Sequence, residues 1–316
     1  MAAFQLILSN VLLLTALAIP GLILGKTGRI ETGAGKTMGN LLTDVAMPFL
    51  VLSNLLALNL SSLQPVAVTV SLLFPFLVAF VLFAITLFVF PKRKTNFSVS
   101  RFCSIFPNCG FMGIPLANLM FPSRPEIAVY VSLFNISSTF LLLTFGVRVL
   151  SEGSERVAVK RVLLRPITVA VVVGFLLLAL RANIPYLSDY CSLLAQLTTP
   201  LSMIVLGYEL SKMPWRRLVC TPCAYLSSAL KLVAAPLVTL IVLFSVRLIW
   251  KDAVSSDVVI ALFLATAVPT AASAPAMAKQ YGLDGEHAAI LTLGNSLLSI
   301  VTLPLLYLLF DCIFHF

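Results

Sequence analysis

Long apolar runs separated by short polar stretches dominate the pattern of the chain. Each run is about 20 residues long, which in an α-helix matches the roughly 30 Å hydrocarbon core of a bilayer. Charged and turn-forming residues mark the ends of the runs. The pattern predicts an all-α membrane protein of ten transmembrane helices, called spans 1 to 10 below, at about 4–25, 37–59, 66–90, 98–121, 127–149, 163–181, 188–211, 222–248, 257–279 and 287–312.

Composition supports a protein that is embedded in lipid. Of the 316 residues, 60% are hydrophobic and 10% are charged, and the mean hydropathy is +1.06; soluble domains carry about 25% charged residues. The longest connection, 151–162, is predicted to be a short cytoplasmic loop, too short for a catalytic or nucleic-acid-binding module. Cys220 and Cys223 form a CxxC without a second pair or a nearby His. We therefore predict no metal and no cofactor.

Basic residues are distributed unevenly over the connections. Sixteen Lys and Arg residues lie in the connections that follow odd-numbered spans, whereas four lie on the opposite side, which includes both termini. Basic loops favour the cytoplasmic side of a membrane. We expect a multi-pass protein of the inner or plasma membrane with both termini non-cytoplasmic. The formal charge of +9 follows from this topology, so no nucleic-acid partner is predicted.

Matching residues at a constant spacing indicate an internal repeat. Pro115 and Asn135 in spans 4 and 5 correspond to Pro275 and Asn295 in spans 9 and 10, always 160 positions apart. Five spans per half would turn the second copy upside down in the membrane, as in many transporters. The predicted domains are a first inverted repeat over 1–150 and a second over 163–316, joined by the cytoplasmic loop.

Two spans contain helix-breaking residues near their middle. Span 4 contains FPNCGFMGIP (Phe106–Pro115) and span 9 contains PTAASAP (Pro269–Pro275). Proline removes an amide hydrogen, glycine adds backbone freedom, and the freed peptide groups cannot face lipid. Paired interrupted helices predict a transport site where they cross. The alternative is a pair of proline kinks with close packing through small residues.

The ends of broken helices limit the chemistry of such a site. Half-helix N-termini present free N–H groups and the positive end of the helix dipole, which favour an anion such as a carboxylate. Asn135 and Asn295 could instead form hydrogen bonds that hold neighbouring helices together. The predicted substrate-binding residues are Asn108, Gly110, Gly113, Pro115, Pro269, Thr270, Ser273, Pro275, Asn135 and Asn295.

Two ionisable residues are predicted deep inside spans. Asp44 lies in span 2 and Lys231 in span 8, and charges inside the membrane are functional candidates by default. Lys231 could also extend its ammonium group toward the interface. We take both as coupling candidates. The span-9 interruption contains no carboxylate, so proton-coupled or uncoupled transport is favoured over sodium coupling.

The same segments resemble the auxin efflux carrier family. Asn108–Pro115 is similar to the N-x-G-F-x-G-x-P signature of that family's fourth helix, PLSMIVLG (Pro200–Gly207) to its seventh, and the run Pro269–Pro304 to its last two helices. The resemblance implies a ten-helix, five-plus-five inverted-repeat fold, shared with bile-acid transporters and sodium/proton antiporters, in which the broken helices cross. It also implies carboxylate substrates, namely auxin, malonate or malate.

One residue departs from the family pattern, and the length of the central loop is typical of one subgroup of the family. Arg165 precedes Pro166 where many members have Asn. The short central loop is similar to that of bacterial members rather than to the long loop of many plant carriers.

The function predicted from the sequence is secondary transport of small organic anions by alternating access, at the crossing of spans 4 and 9. An anion channel and a non-transporting receptor or sensor for a carboxylate are the alternatives. No H-E-x-x-H or G-x-S-x-G motif is present, so an enzyme is not expected. The expected partners are a small carboxylate, protons as a candidate coupling ion and the lipid bilayer; a homodimer is left open.

Overall fold

The computed structural model describes residues 9, 12–13, 16–31, 33–57, 64–92, 96–152, 164–181, 184–212, 221–249 and 255–314. Cys220 and most of the loop at 151–162 lie outside this part of the chain. Within it, the regular structure is helical, and the β-type pairing recorded is an isolated bridge between Pro107 and Thr270. The prediction of an all-helical protein is confirmed.

The described residues form twelve helices, some of them with internal wide turns. They are α1 (Ile19–Lys26), α2 (Ala34–Leu56), α3 (Pro65–Val89), α4 (Phe97–Ile105), α5 (Cys109–Met120), α6 (Pro125–Leu150), α7 (Pro166–Ala179), α8 (Leu187–Ser211), α9 (Pro222–Leu248), α10 (Ser256–Ala267), α11 (Ala274–Gln280) and α12 (Gly285–Phe314).

Six of these helices are long and apolar enough to cross a membrane, namely α2, α3, α6, α8, α9 and α12. Three more, α5, α7 and α10, are apolar but shorter. A multi-pass membrane protein is therefore supported, while ten spans, the inverted repeat and the orientation of the termini stay predictions. Several helices begin at a proline, such as α3, α6, α7 and α9, because proline suits the first helical turn, whose N–H groups have no intrahelical partner.

Four helices contain a wide, π-helical turn. These turns are Leu42–Ala46 in α2, Cys109–Gly113 in α5, Leu142–Gly146 in α6 and Leu230–Ala234 in α9. In α2, α5 and α9 a proline follows two residues after the turn, at Pro48, Pro115 and Pro236. Proline lacks the amide hydrogen and clashes with the preceding turn, and widening that turn relieves the clash. Such turns occur frequently at functional sites.

The interior of the bundle is built around α10. Every residue from Val258 to Ala267 is buried, whereas α3 and α7 leave Phe88, Leu73 and Val172 exposed on their outer faces. A helix that is apolar and covered all round belongs to the core, and apolar side chains on an outer face suit lipid. The neighbours of α10 include α6, α9 and α3, so the end of α10 lies deep in the protein.

Helices α1 and α8 pack backbone to backbone. A Cβ atom placed on Gly21 would lie 2.0 Å from the carbonyl oxygen of Ile204, and one on Gly207 would lie 1.8 Å from that of Ala18. Only glycine permits this approach, which is the usual role of small residues between membrane helices.

A polar contact joins the start of α4 to the connection between α11 and α12. Asp284, which precedes α12, accepts a hydrogen bond from the backbone N–H of His287 (2.9 Å) and another from the Asn96 amide (3.1 Å), next to the start of α4. These bonds hold the pKa of the Asp284 carboxyl below its usual value; the backbone bond from His287 is the largest cause. Asp284 thus caps α12 and links it to α4.

Candidate functional site

The chain is interrupted between α4 and α5 and again between α10 and α11, and the two interruptions pair with each other. The backbone N–H of Asn108 donates to the carbonyl of Pro269 (2.7 Å), and that of Ala271 donates to the carbonyl of Phe106 (2.9 Å). This antiparallel bridge is called the crossing below. It satisfies peptide groups that the broken helices leave free, which is a requirement inside a membrane.

Each half-helix that ends at the crossing has its own cap. The Thr270 hydroxyl donates to the carbonyl of Cys103 (2.6 Å), near the end of α4. The Lys231 ammonium donates to the carbonyl of Thr266 (3.0 Å), near the end of α10, and its residue is 1% exposed. The last carbonyls of a helix lack intrahelical partners and carry partial negative charge, so a hydroxyl suits them and a cation suits them better.

Asn295 belongs to the packing behind the crossing. Its amide nitrogen donates to the Thr270 hydroxyl (2.7 Å), and its amide oxygen accepts from the Ser228 hydroxyl. The residue is 0% exposed. The interhelical role that the sequence left open for Asn295 is therefore the one its contacts support, with Thr270 as its partner.

A cavity of about 1160 Å³ lies on the side of the crossing that faces away from Asn295. From the crossing it extends to Ser151, Glu152 and Arg165, the end that the charge pattern predicts to be cytoplasmic. The helices around it are α2, α5, α6, α7 and α11. Its polar wall residues include Asn40, Thr43, Asp44, Asn108, Asn135, Thr139, Ser273 and Gln280.

Two amide side chains stand unpaired at the crossing end of the cavity. Asn108 and Asn135 are each 8% exposed and line its wall. Neither side chain has a hydrogen-bond partner in the part of the chain that the structure describes. Nearly buried amides normally have partners, so these two groups are available to a ligand. They lie beside the N-terminus of α5, whose first N–H groups have no intrahelical acceptor.

Gly110 lets the start of α5 approach α2. A Cβ atom there would lie 2.5 Å from the terminal methyl carbon of Met47 and 3.6 Å from the amide oxygen of Asn135. A side chain at this position would therefore displace Met47. At Gly113 the same atom would meet its neighbours at ordinary van der Waals distances of 3.5–3.8 Å, so the glycine is not required there for space.

The predicted site residues thus divide into two groups. Four of them, Asn108, Gly110, Asn135 and Ser273, line the cavity. The other six do not line the cavity; they are Gly113, Pro115, Pro269, Thr270, Pro275 and Asn295. The glycine and the prolines shape the backbone, whereas Thr270 and Asn295 bond to each other within the packing.

The two predicted coupling residues lie on different sides of the crossing. Asp44 lines the cavity with an exposed side chain and accepts a hydrogen bond from the Thr43 hydroxyl (3.2 Å). Asp44 was expected to lie deep in a span, and the cavity gives its carboxylate access to solvent. Lys231 does not line the cavity; it is buried at the end of α10 and forms no ion pair with Asp44.

The sequence interpretation missed Arg165 and Glu152 as cavity residues. Arg165 precedes the first residue of α7, and Glu152 follows the end of α6. Arg165 was noted as a departure from the family pattern but was not assigned to the site. Its place before Pro166 indicates only the start of a helix. Gln64, Arg124 and Thr221 hold the same place in other helices without lining the cavity, so this position gave no signal for the site.

Comparison with known protein families gives a match. A family model described as membrane transport protein matches residues 6–307, which cover the crossing and every residue of the cavity wall. No curated protein matches the chain.

Proposed function

The chain belongs to the membrane transport protein family, the family of the auxin efflux carriers, and on this premise we propose that it is a secondary transporter of small organic anions. The proposed substrates are carboxylates, either an auxin-like monocarboxylate or a dicarboxylate such as malonate or malate. The proposed fold is the ten-span, five-plus-five inverted repeat, in which α4 with α5 and α10 with α11 are the two broken spans. The proposed location is the cell membrane.

The observation that carries the proposal is the pair of unpaired amides at the crossing. Asn108 and Asn135 can each donate N–H bonds into the cavity. The N-terminus of α5 adds backbone N–H groups and the positive end of a helix dipole at the same point. Donors and positive potential that converge on one position favour an anion, and a carboxylate can accept from both amides at once.

The closure of the cavity at the crossing supports the proposal of alternating access. The cavity reaches only as far as the backbone bridge between Asn108 and Pro269. On the far side, Arg124, which precedes α6, forms an ion pair with Asp257 in α10. A substrate bound at the crossing would leave by the other side only after these contacts rearrange. The charged residues of the wall, Asp44, Glu152 and Arg165, are of mixed sign and form no ring of like charge, which argues against an ion channel.

Coupling is proposed to involve protons or no ion at all. Asp44 is the carboxylate of the cavity wall nearest to the crossing along α2 and is the candidate proton carrier. Lys231 is proposed to fix the end of α10, because its ammonium group donates to the Thr266 carbonyl.

Uptake into proteoliposomes tests the proposed function. Radiolabelled indole-3-acetate and malonate are the first probes, and saturation with counterflow would identify a carrier. Asn108→Ala and Asn135→Ala should each lower the uptake rate about tenfold or more, since each removes one charge-assisted hydrogen bond. Asn118→Ala is the matched control, because Asn118 bonds within α5 and does not line the cavity. Equal loss in all three variants, or unchanged uptake in the first two, would contradict the proposed site.

A further inference from the structure

One charged side chain of the cavity wall has no role in holding a carboxylate at the crossing. The Asp44 carboxylate is exposed to the cavity and accepts a hydrogen bond from its neighbour Thr43 (3.2 Å). It forms no ion pair with any residue that the structure describes. Because this carboxylate lies in the same cavity as the proposed carboxylate site, we expect it to affect which substrates bind.

The position of Asp44 relative to the crossing follows from the contacts of α2. Met47 reaches the start of α5, where its methyl carbon occupies the space that a side chain at Gly110 would need. Asp44 lies three residues earlier in the same helix, about 4–5 Å along the helix axis at 1.5 Å per residue. Both residues line the cavity. The far end of a short substrate held at Asn108 therefore comes near Asp44.

The other charges of the wall form no ion pair with Asp44, although α7, which Arg165 precedes, begins beside the turn that contains Asp44. Arg165 and Glu152 line the cavity at its mouth, where both are exposed and of opposite sign. Charges in contact with solvent are screened, and their effects partly cancel. Lys231 is committed to the end of α10 behind the crossing.

We propose that Asp44 is a specificity-determining residue that selects a carboxylate with an N–H donor, such as an amino group, at its far end and rejects dicarboxylates. The inference rests on the proposed function, in which Asn108 and Asn135 hold the first carboxylate, and it narrows the two substrate classes left open there to the monocarboxylates. A second carboxylate would face Asp44 without an intervening cation, and like charges at such a distance repel. An amino group at the same place would pair with Asp44 instead.

Three probes with the same four-carbon chain separate these cases: succinate, butyrate and 4-aminobutyrate. Their dissociation constants are measured by calorimetry on the purified full chain in detergent, at one pH and one ionic strength. The parent protein should bind 4-aminobutyrate most tightly and succinate most weakly. In Asp44→Asn, succinate should bind about tenfold more tightly and 4-aminobutyrate about tenfold more weakly, while butyrate changes by less than about threefold.

Glu152→Gln is the matched control, because it removes the other carboxylate of the wall at the mouth and should leave the order of the probes unchanged. Equal binding of succinate and butyrate by the parent, or the same succinate-to-butyrate ratio in Asp44→Asn, would overturn the inference. Butyrate tests the proposed function separately: if it binds equally well to Asn108→Ala, the carboxylate site is wrong whatever the result at Asp44. Binding of none of the probes to any variant would contradict both.

Discussion

The two interruptions resemble each other in sequence but differ in what they contribute. The break after α4 supplies Asn108 and Gly110, the polar group and the close approach at the end of the cavity. The break after α10 supplies Thr270, which bonds to Cys103 and Asn295 inside the packing. One break therefore presents an unpaired amide to the cavity, and the other supplies a hydroxyl that bonds within the packing.

The same division separates Asn135 from Asn295, which occupy equivalent positions of the predicted repeat. Asn135 lines the cavity without a side-chain partner among the described residues, whereas Asn295 is bonded to Thr270 and Ser228. Two positions that match in the predicted repeat thus differ in their contacts. Which partner each amide meets depends on the neighbouring helix, and α9 supplies Ser228 on one side only.

A substitution in the second break is expected to have the largest effect, and that effect is on stability. Thr270→Val removes a hydroxyl that donates to Cys103 and accepts from Asn295. Two buried polar groups lose their partner, which costs about 2–4 kcal/mol of unfolding free energy in total. The affinity of the remaining folded protein for a carboxylate should be unchanged.

Unfolding by SDS titration, followed by calorimetry on the folded fraction, measures both quantities. Thr69→Val is the control, because its hydroxyl bonds to the Pro65 carbonyl on an exposed face of α3 and its loss should cost little. If Thr270→Val weakened carboxylate binding and left stability intact, the two breaks would share the binding role.

The next largest effect concerns Asp44, which lies along α2 from the first break. In the predicted repeat, spans 2 and 7 align at a spacing of 152 positions, which makes Gln196 its counterpart; Gln196 is exposed and does not line the cavity. Under the proton-coupled proposal, accumulation of a neutral-tailed monocarboxylate changes by at most about tenfold per unit of transmembrane pH gradient. Asp44→Asn should abolish this response and leave binding of that substrate largely intact.

Uptake into proteoliposomes at a series of imposed pH gradients measures the response, with Gln196→Ala as the control that should keep it. Persistence of the full pH response in Asp44→Asn would remove Asp44 as the proton carrier. Strict dependence of the parent on sodium would contradict proton coupling altogether.

A smaller effect is expected at Asp284, whose contact joins the outer ends of the two broken spans. The pKa of its carboxyl is lowered, so the ionised form is the one that stabilises the folded protein. Asp284→Ala should cost about 1 kcal/mol at neutral pH through loss of the helix cap. The difference from the parent should be complete above the ordinary carboxyl pKa of about 4 and disappear as the pH falls through the lowered value. Melting temperatures in detergent from pH 7 down to pH 3 would reveal this, and a difference that does not depend on pH would contradict it.

The smallest effect is expected at Ser273, the polar side chain that the second break presents to the cavity. Its hydroxyl has only a long contact of 4.0 Å with the sulfur of Met277. Ser273→Ala should change the uptake rate by less than about threefold, as for loss of a weak neutral contact. A decrease as large as that of Asn108→Ala would mean that both breaks contribute to substrate binding.

The sequence could predict the helical class and where backbone freedom is concentrated, because apolar length and the positions of Pro and Gly are local signals. It also singled out Asn108, which lies within the first break. It could not distinguish Asn135 from Asn295, since both are amides in apolar helices and their difference lies in Ser228 and Thr270, far away in the chain.

The same limit applies to the charged residues. The depth of Asp44 in its span follows from counting residues, but its access to solvent depends on a cavity that five helices enclose. The partner of Lys231 is a backbone carbonyl at the end of a helix, and a pairing with a backbone group cannot be predicted from side-chain identities. Arg165 contributes to the cavity wall only because α7 begins beside the wide turn of α2.

The glycine contact between α1 and α8 has a mechanical consequence. Gly21 and Gly207 bring the two backbones into direct contact, so at these two points there is no side-chain rotamer that could change to accommodate sliding or rotation. Interfaces that shear do so by small adjustments of interlocked side chains. We therefore expect α1 and α8 to move together, so that under the proposed alternating access the rearrangement would take place at interfaces that are lined by larger side chains.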